Sequence, residues 1–239
     1  MKATLARRIV VEFVGTGFLV TAVVGSGIMA ERLSNGNVAL ALLANAIATG
    51  CALVALILAF APISGAHLNP VVTLAEALQG SQAWNEVLPY TFGQILGGIT
   101  GTAAANMMFG LPIFFLSHRV RSGPALWLGE WIATFGLVCV IWGCSRTWPR
   151  GTGFAVGAYI TGAYWFTSST SFANPAVTIA RTLTDTFAGI RPRDALAFLP
   201  VEIAGGVAAA MFARWLAPPA KSAQSPVRAG RSSSRSVTS

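Results

Sequence analysis

The sequence has few charged residues. Asp, Glu, Lys and Arg make up 10% of its 239 residues, whereas an ordinary soluble domain carries about 25%. Apolar residues reach 54%, and they are grouped in runs of about 20 residues, the length at which a helix crosses the hydrocarbon core of a bilayer. The scarcity of charge therefore excludes an ordinary soluble domain and indicates a membrane protein with several spans.

Residues that bind metals or carry out catalysis are also scarce. The chain has 2 histidines and 3 cysteines. Cys51, Cys139 and Cys144 lie in or at the end of apolar runs, and none has the spacing of a metal-binding motif, so we interpret them as buried thiols. No nucleophile is paired with a base in a recognisable arrangement. The sequence therefore predicts no enzyme, no metal site and no cofactor.

The basic charge is not distributed as in a protein that binds nucleic acid. The formal net charge is +8, and residues 218–239 contribute much of it, because this Ser-, Pro- and Arg-rich segment contains Lys221, Arg228, Arg231 and Arg235 and no acidic residue. We predict that this basic tail is disordered and solvated in the cytoplasm. Contact with anionic lipid is the alternative, and no nucleic-acid partner is expected.

Two similar segments interrupt the apolar runs. They contain Asn69-Pro70-Val71-Val72-Thr73 and Asn174-Pro175-Ala176-Val177-Thr178. Proline has no N–H and disfavours helix in the residue before it, so no helix continues through either segment. Each Asn-Pro instead indicates a new helix, with Asn at the N-cap and Pro at the first position. The predicted helices, about 70–80 and 175–187, are too short to span a bilayer, so their loops must be buried or line a wet cavity.

The two halves of the chain repeat each other. Glu12 in the first run matches Glu130 in the fourth, Gln94 in the third matches Glu202 in the sixth, and the Asn-Pro segments match in the same order. We predict six transmembrane helices at about 9–30, 38–60, 87–109, 124–144, 151–168 and 195–217. Three spans in each half reverse the direction of the second half, which predicts an inverted repeat with a site where the two broken helices meet.

These paired motifs resemble the aquaporin, or major intrinsic protein, family, whose signature is a paired Asn-Pro-Ala. The resemblance covers roughly residues 5–217 and implies the aquaporin fold: an all-α membrane protein with six transmembrane helices and two re-entrant half-helices. It implies one channel domain over 1–217, with repeats at about 5–110 and 124–217. It also implies a homotetramer with one pore in each subunit.

The resemblance assigns roles to individual residues. The pore motifs are Asn69, Pro70, Val71, Asn174, Pro175 and Ala176. The positive ends of two half-helix dipoles and the two asparagine amides then meet at the midplane, where they hold a water or hydroxyl oxygen and repel cations. In the family, glutamates such as Glu12 and Glu130 accept backbone N–H groups of the re-entrant loops. His67 resembles a histidine of the first loop, which we interpret as a loop anchor, with a gate as the alternative.

The family's selectivity filter comprises four residues, one of them an arginine three positions after the second Asn. Counting along this chain places Thr49, Gly162, Ser171 and Val177 there, so the arginine is replaced by valine. Orthodox water channels have an aromatic, a His and the Arg, and glycerol channels keep the Arg beside two aromatics. We therefore predict a wide, uncharged filter similar to that of divergent bacterial aquaglyceroporin-like channels, unless Phe172 or Tyr164 fills the gap.

The predicted function is a passive channel for small neutral solutes and water. The solutes are glycerol-like polyols, urea and metalloid hydroxides such as arsenous acid. The alternatives are an orthodox water channel or a low-flux structural membrane protein of the same fold. An inverted-repeat secondary transporter is a third class, but the half-helices carry no acidic residue at their starts to bind a coupling ion. We expect a multi-pass protein of the cell inner (plasma) membrane with both termini in the cytoplasm, because more Lys and Arg fall on that side.

Overall fold

The computed structural model describes residues 3–217, and within that range the chain is all-helical. The helices are α1 (Leu5–Leu33), α2 (Val38–Ser64), α3 (Pro70–Gln79), α4 (Trp84–Met108), α5 (Pro124–Thr147), α6 (Thr152–Phe166), α7 (Pro175–Arg181) and α8 (Pro192–Leu216), with a 3-10 turn at Pro149–Gly151 before α6. The predicted fold class is confirmed, with two short half-helices, α3 and α7, among six longer helices. The predicted basic tail, 218–239, lies outside the described residues.

The half-helices begin as the Asn-Pro segments predict. Asn69 Oδ1 accepts from the N–H of Val71 at 2.9 Å, and Asn174 Oδ1 accepts from that of Ala176 at 3.0 Å. Each proline occupies the first helical turn, where its missing N–H removes no helical hydrogen bond. Before the first loop, α2 is capped by Gly65, whose φ of 92° lies in the left-handed region that favours glycine.

The second half-helix is shorter than predicted, since it ends at Arg181 rather than near residue 187. Three threonines follow within five residues, and each uses its hydroxyl in a local or tertiary hydrogen bond instead of continuing the helix. Thr182 donates to the carbonyl of Ile179, and Thr184 donates to Asn106 Oδ1 at 2.9 Å. The chain then folds back, and the N–H of Ile190 donates to the carbonyl of Arg181.

Glycines let the long helices of each repeat approach closely. A Cβ at Gly97 of α4 would lie 2.1 Å from the carbonyl oxygen of Phe13 in α1, and one at Gly101 would lie 2.2 Å from that of Gly17. In the second repeat, a Cβ at Gly205 of α8 would lie 2.7 Å from the carbonyl oxygen of Trp131 in α5. Helix backbones in lipid pack against each other at such small residues.

Each half-helix packs against a long helix of the opposite repeat. α3, from the first repeat, packs against α8, and α7, from the second repeat, packs against α4. Val71 takes part in this packing, because a Cβ at Gly206 of α8 would lie 2.0 Å from its Cγ1. The Val at this position therefore packs into the helix interface. The two repeats form one body around the Asn-Pro loops.

Four of the described helices, α1, α2, α5 and α8, are long and apolar enough to cross a membrane by length and composition. α4 has the same length as α8 but is not among these four, and α6 has only 15 residues after its 3-10 turn. α4 packs along α1 and α6 packs along α2, so both lie within the bundle of apolar helices. The protein is therefore a multi-pass membrane protein.

Candidate pore and selectivity filter

The two Asn-Pro loops meet at the centre of the bundle and bond to each other. Asn69 Nδ2 donates to the carbonyl oxygen of Ala173 at 2.7 Å, and Asn174 Nδ2 donates to that of Leu68 at 2.8 Å. The sequence led us to expect amide groups free to donate into a lumen. Because an amide nitrogen carries two hydrogens and one is used here, a single N–H remains on each asparagine for a permeant.

Glu12 and Glu130 hold the two loops from behind. Glu12 accepts from the N–H groups of His67 and Leu68 at 3.0 and 2.7 Å. Glu130 accepts from the N–H groups at the matching positions, Phe172 and Ala173, at 2.9 and 2.7 Å. Both glutamates are fully buried. Each carboxylate therefore satisfies two backbone donors that have no helical partner.

The neighbours of the two glutamates differ between the repeats. Gln94 Nε2 donates to Glu12 at 2.8 Å and to the hydroxyl of Thr73 at 3.0 Å. In the second repeat the matching residue is Glu202, whose Oε1 accepts from the hydroxyl of Thr178 at 2.6 Å. Oε2 of Glu202 is buried without a hydrogen-bond partner among the described residues.

His67 lies where the first loop faces the cavity. Its Nδ1 is 3.1 Å from the hydroxyl of Thr73, and its ring is tilted against that of Tyr90, with centroids 5.5 Å apart. The two contacts fix the ring to α3 and to α4. The geometry fits a loop anchor that also lines the lumen.

Both loops have the same unusual backbone. Ala66 and Leu68 have φ values of 48° and 50°, and Ser171 and Ala173, at matching positions, have 51° and 47°. Non-glycine residues adopt this left-handed region rarely, and it is found where surrounding contacts enforce it. Within the described residues no hydrogen bond ends on the carbonyls of 65–67 or of 170–172. These carbonyls are therefore available as acceptors for a solute.

A cavity of about 670 Å³ runs past both loops. Its apolar wall is formed by side chains of four long helices: Leu19, Val23, Leu53, Ile57, Leu137, Ile141, Val156 and Ile160. Its polar side is formed by the loops, with Asn69 and Asn174 in the lining, while Pro70, Val71, Pro175 and Ala176 are buried behind them. The lumen is therefore amphipathic, with hydrogen-bonding groups facing a hydrocarbon wall.

Three of the four predicted filter residues line this cavity, namely Thr49, Ser171 and Val177. Gly162 does not, because it is exposed on the outer side of α6. The placement of Gly162 in the filter was wrong. Tyr164 faces the cavity instead, with its hydroxyl 3.2 Å from that of Thr49.

The helical repeat explains this difference. Val156, Ile160 and Tyr164 follow each other at four-residue spacing on the cavity face of α6. At about 100° per residue, Gly162 lies about 200° around the helix from either Ile160 or Tyr164. An ungapped count from the second Asn could not detect this, because it says nothing about the rotation of α6.

Two further residues line the cavity: Arg181, which the sequence did not place in the filter, and Phe172, which it named only as a residue that could fill the gap. Arg181, the last residue of α7, is 2% exposed, and Phe172 is 4% exposed. The guanidinium carbon of Arg181 lies 3.4 Å from the centroid of the Phe172 ring. The sequence contained one signal for this residue, an arginine in an otherwise apolar helix. Arg181 was not assigned to the filter because it lies further from the Asn-Pro motif than the arginine of the family's filter.

The loops after α4 and α7 are bonded to each other at the end of the pore that contains Arg181. The N–H groups of Phe115 and Ser117 donate to the carbonyls of Leu183 and Thr182. Asp185 accepts from the backbone N–H of His118 at 2.8 Å, and this hydrogen bond holds the pKa of the Asp185 carboxyl below its usual value. The loop after α4 is thereby fixed to the loop after α7.

Sequence comparison places this geometry in a known family. The model of the major intrinsic protein family matches residues 1–160. The chain belongs to this family. The aquaglyceroporin AqpS of Rhizobium meliloti (strain 1021) is 52% identical over 217 residues, which cover 91% of this chain and 93% of the relative. A probable aquaporin AqpM of Archaeoglobus fulgidus is 31% identical over an alignment of 245 residues, which covers 90% of this chain and 97% of the relative.

A solved structure supports the fold of this major intrinsic protein. The aquaglyceroporin from Plasmodium falciparum superposes with a TM-score of 0.72 over 90% of this chain and 98% of that chain, at 20% sequence identity. At that identity the likeness concerns the fold alone. The overall fold is thus shared, while the side chains of the filter are this chain's own.

Proposed function

We propose that the protein is a passive channel for small neutral hydroxylated solutes, together with water. The solute class comprises glycerol-like polyols, urea and metalloid hydroxides such as arsenous acid. The amphipathic lumen supports this proposal above all. A polyol has hydroxyl groups on one side and carbon on the other, so it can bond the loop carbonyls and asparagine amides while its carbon atoms contact the apolar wall.

The similarity to AqpS, which is named an aquaglyceroporin, supports the same conclusion at 52% identity over nearly the whole chain. The absence of acidic side chains at the starts of both half-helices supports a passive mechanism, because a coupled transporter needs an ion site at such broken helices. Passive flux then follows the concentration gradient of the solute.

We infer that the filter consists of Thr49, Tyr164, Ser171 and Val177. Thr49 and Tyr164 form a hydroxyl pair on one side, and Ser171 Oγ is buried without a partner among the described residues. Val177 is the apolar member. The opening of this filter is narrower than that of the filter predicted from the sequence, because Tyr164 and Phe172 occupy space that Gly162 would have left open.

Flux through purified protein in proteoliposomes tests this function. Stopped-flow light scattering should show water, glycerol and urea permeability above that of protein-free vesicles, and arsenous acid uptake should be measured on the same samples. Passage of water alone would identify an orthodox water channel. Permeability equal to that of empty vesicles for every solute would indicate a low-flux structural protein.

We also propose a homotetramer in the inner membrane with both termini in the cytoplasm. Arg8 and Arg214 support a basic end of the helix bundle that both termini share. Arg8 pairs with Glu86 at the start of α4, and Arg214 donates to the carbonyl of Leu78 at the end of α3. Native mass spectrometry in detergent tests the oligomer. Labelling of single cysteines introduced at residue 4 or 217 tests the orientation in whole cells.

A further inference from the structure

Arg181 is a buried charge that faces the pore, and no described residue provides a counterion for it. Its Nε donates to the carbonyl of Ala188, and none of the carboxylates among residues 3–217 forms an ion pair with it. In the same range no acceptor is hydrogen-bonded to its two terminal nitrogens. An ionised group at this depth is costly unless it is solvated or paired. Water or solute in the lumen must therefore provide the hydrogen-bond acceptors for those nitrogens.

The position of Arg181 on α7 directs its side chain toward the filter. It follows Val177 by four residues, so the two share one face of the helix. Side chains in a helix lean toward its N-terminus and cover the preceding turn. Since α7 begins at the Asn-Pro centre, the Arg181 side chain leans back along the pore over the turn that carries Val177.

Phe172 fixes the guanidinium in this place. The Arg181 guanidinium carbon stands 3.4 Å from the ring centroid, and that of Arg121 stands 5.2 Å from the same ring. Arg121 does not line the cavity, and it donates from Nε to the carbonyl of Gly189 at 2.8 Å. Burial lowers the pKa of Arg121 to about 10, which leaves it cationic at neutral pH. Two positive charges thus lie at this end of the pore.

A second polar group, the hydroxyl of Ser171, lies in the same cavity. Ser171 precedes Phe172 in the loop, lines the same cavity, is 2% exposed, and has no hydrogen-bond partner for its Oγ among the described residues. A hydroxyl can donate or accept, whereas a guanidinium only donates. A neutral solute can therefore accept from Arg181 while it exchanges a hydrogen bond with Ser171.

We propose that Arg181 and Ser171 form the outer solute-binding site of this channel, and that the charge of Arg181 excludes cations from it. The proposal rests on the channel function proposed above. It assigns the positive charge of the filter to the residue one turn beyond Val177. The pore then combines an apolar residue at 177, which leaves room for a solute, with a donor that still binds the solute's oxygen.

The experiment measures two fluxes in the same proteoliposomes. Glycerol permeability tests the channel function, and Na⁺ conductance with proton leak tests the role of Arg181. Wild type should pass glycerol and exclude cations. Arg181→Gln should raise the cation leak by roughly tenfold or more, because the repulsion by a fixed charge is lost. Arg181→Lys should keep cations out, a rescue that a purely structural role for Arg181 in holding the Ala188 carbonyl does not predict.

A second pair of variants decides the question if Arg181→Gln fails to fold. Val177→Glu places a carboxylate four residues before Arg181 and neutralises its charge without removing the side chain. Val177→Gln is the matched neutral variant. A cation leak in Val177→Glu but not in Val177→Gln supports the proposal.

Three results overturn it: a wild type that conducts Na⁺ freely, a folded Arg181→Gln that excludes cations as wild type does, or equal leaks in the two Val177 variants. In each case a normal glycerol flux would leave the channel function intact. If wild type passes no solute, the channel function itself is refuted.

Discussion

Asn69 and Asn174 each donate a hydrogen bond to the carbonyl that directly precedes the other. The two bonds, 2.7 Å to Ala173 and 2.8 Å to Leu68, join the loops across the centre of the inverted repeat. Each asparagine also caps its own half-helix through Oδ1. Each asparagine side chain therefore joins its own half-helix to the opposite loop.

Asn174→Asp tests this arrangement. Aspartate can still cap α7, but it has no N–H to donate to Leu68 and it adds a negative charge to the lumen. We expect a lower melting temperature in detergent and a cation leak in proteoliposomes. Asn37→Asp is the matched control, because Asn37 caps the exposed start of α2 through the N–H of Leu40. Unchanged melting and unchanged ion exclusion in Asn174→Asp would contradict the central role of this amide.

Glu130→Ala should destabilise the second loop. The N–H groups of Phe172 and Ala173 would lose their acceptor in a buried site, at about 1–3 kcal/mol for each group. Thermal unfolding in detergent measures the effect. Glu31→Ala is the control, because Glu31 pairs with Arg119 at an exposed surface, where an ion pair contributes about 1 kcal/mol or less. Similar losses in the two variants would argue against the support role of Glu130.

Glu202→Gln should raise the stability of the protein at neutral pH. Glu202 lies beside Glu130, and its Oε2 has no partner among the described residues. Glutamine can donate to Glu130 as Gln94 donates to Glu12 in the first repeat. The reverse change, Gln94→Glu, should lower stability because it places a second carboxylate against Glu12. Melting curves of both variants test these two expectations. A melting temperature of Glu202→Gln below that of wild type would refute the predicted gain in stability.

Thr49→Phe should discriminate by solute size. Thr49 lines the cavity next to Tyr164, so a phenyl ring there narrows the proposed filter. Glycerol permeability should fall far more than water permeability. Gly162→Phe introduces the same ring on the outer side of α6 and should leave both permeabilities near the wild-type values. Stopped-flow measurements of water and glycerol on the two variants decide between Tyr164 and Gly162 as the α6 member of the filter.

The framework of this protein could be predicted from its sequence, because local signals determine it. Apolar runs gave the helices, and Asn-Pro gave the starts of both half-helices to the residue. The paired glutamates were identified from their matching positions, and the structure places both on the loop N–H groups. Each of these inferences needs only the residue and its near neighbours.

The filter was predicted less accurately than the helices, because it depends on the rotation of each helix about its axis and on the path of the loops. The spacing pointed to Gly162, whereas the rotation of α6 presents Tyr164. The missing arginine at 177 suggested an uncharged filter, but the guanidinium of Arg181 reaches the cavity from the next turn. Its ring partner, Phe172, lies in the loop, and no periodicity reports where a loop side chain will point.

The packing of each half-helix against the opposite repeat has a consequence for synthesis. The first half of the chain leaves the ribosome first, and at that stage the surface of α3 that packs on α8 has no cover and the Leu68 carbonyl has no donor. α8 is the last of the described helices to be made, yet it covers the first half-helix. In a chain that stops before α8, α3 therefore lacks the helix that covers it. Completion of the channel is a late step of biogenesis, and premature termination anywhere upstream of α8 should abolish it entirely.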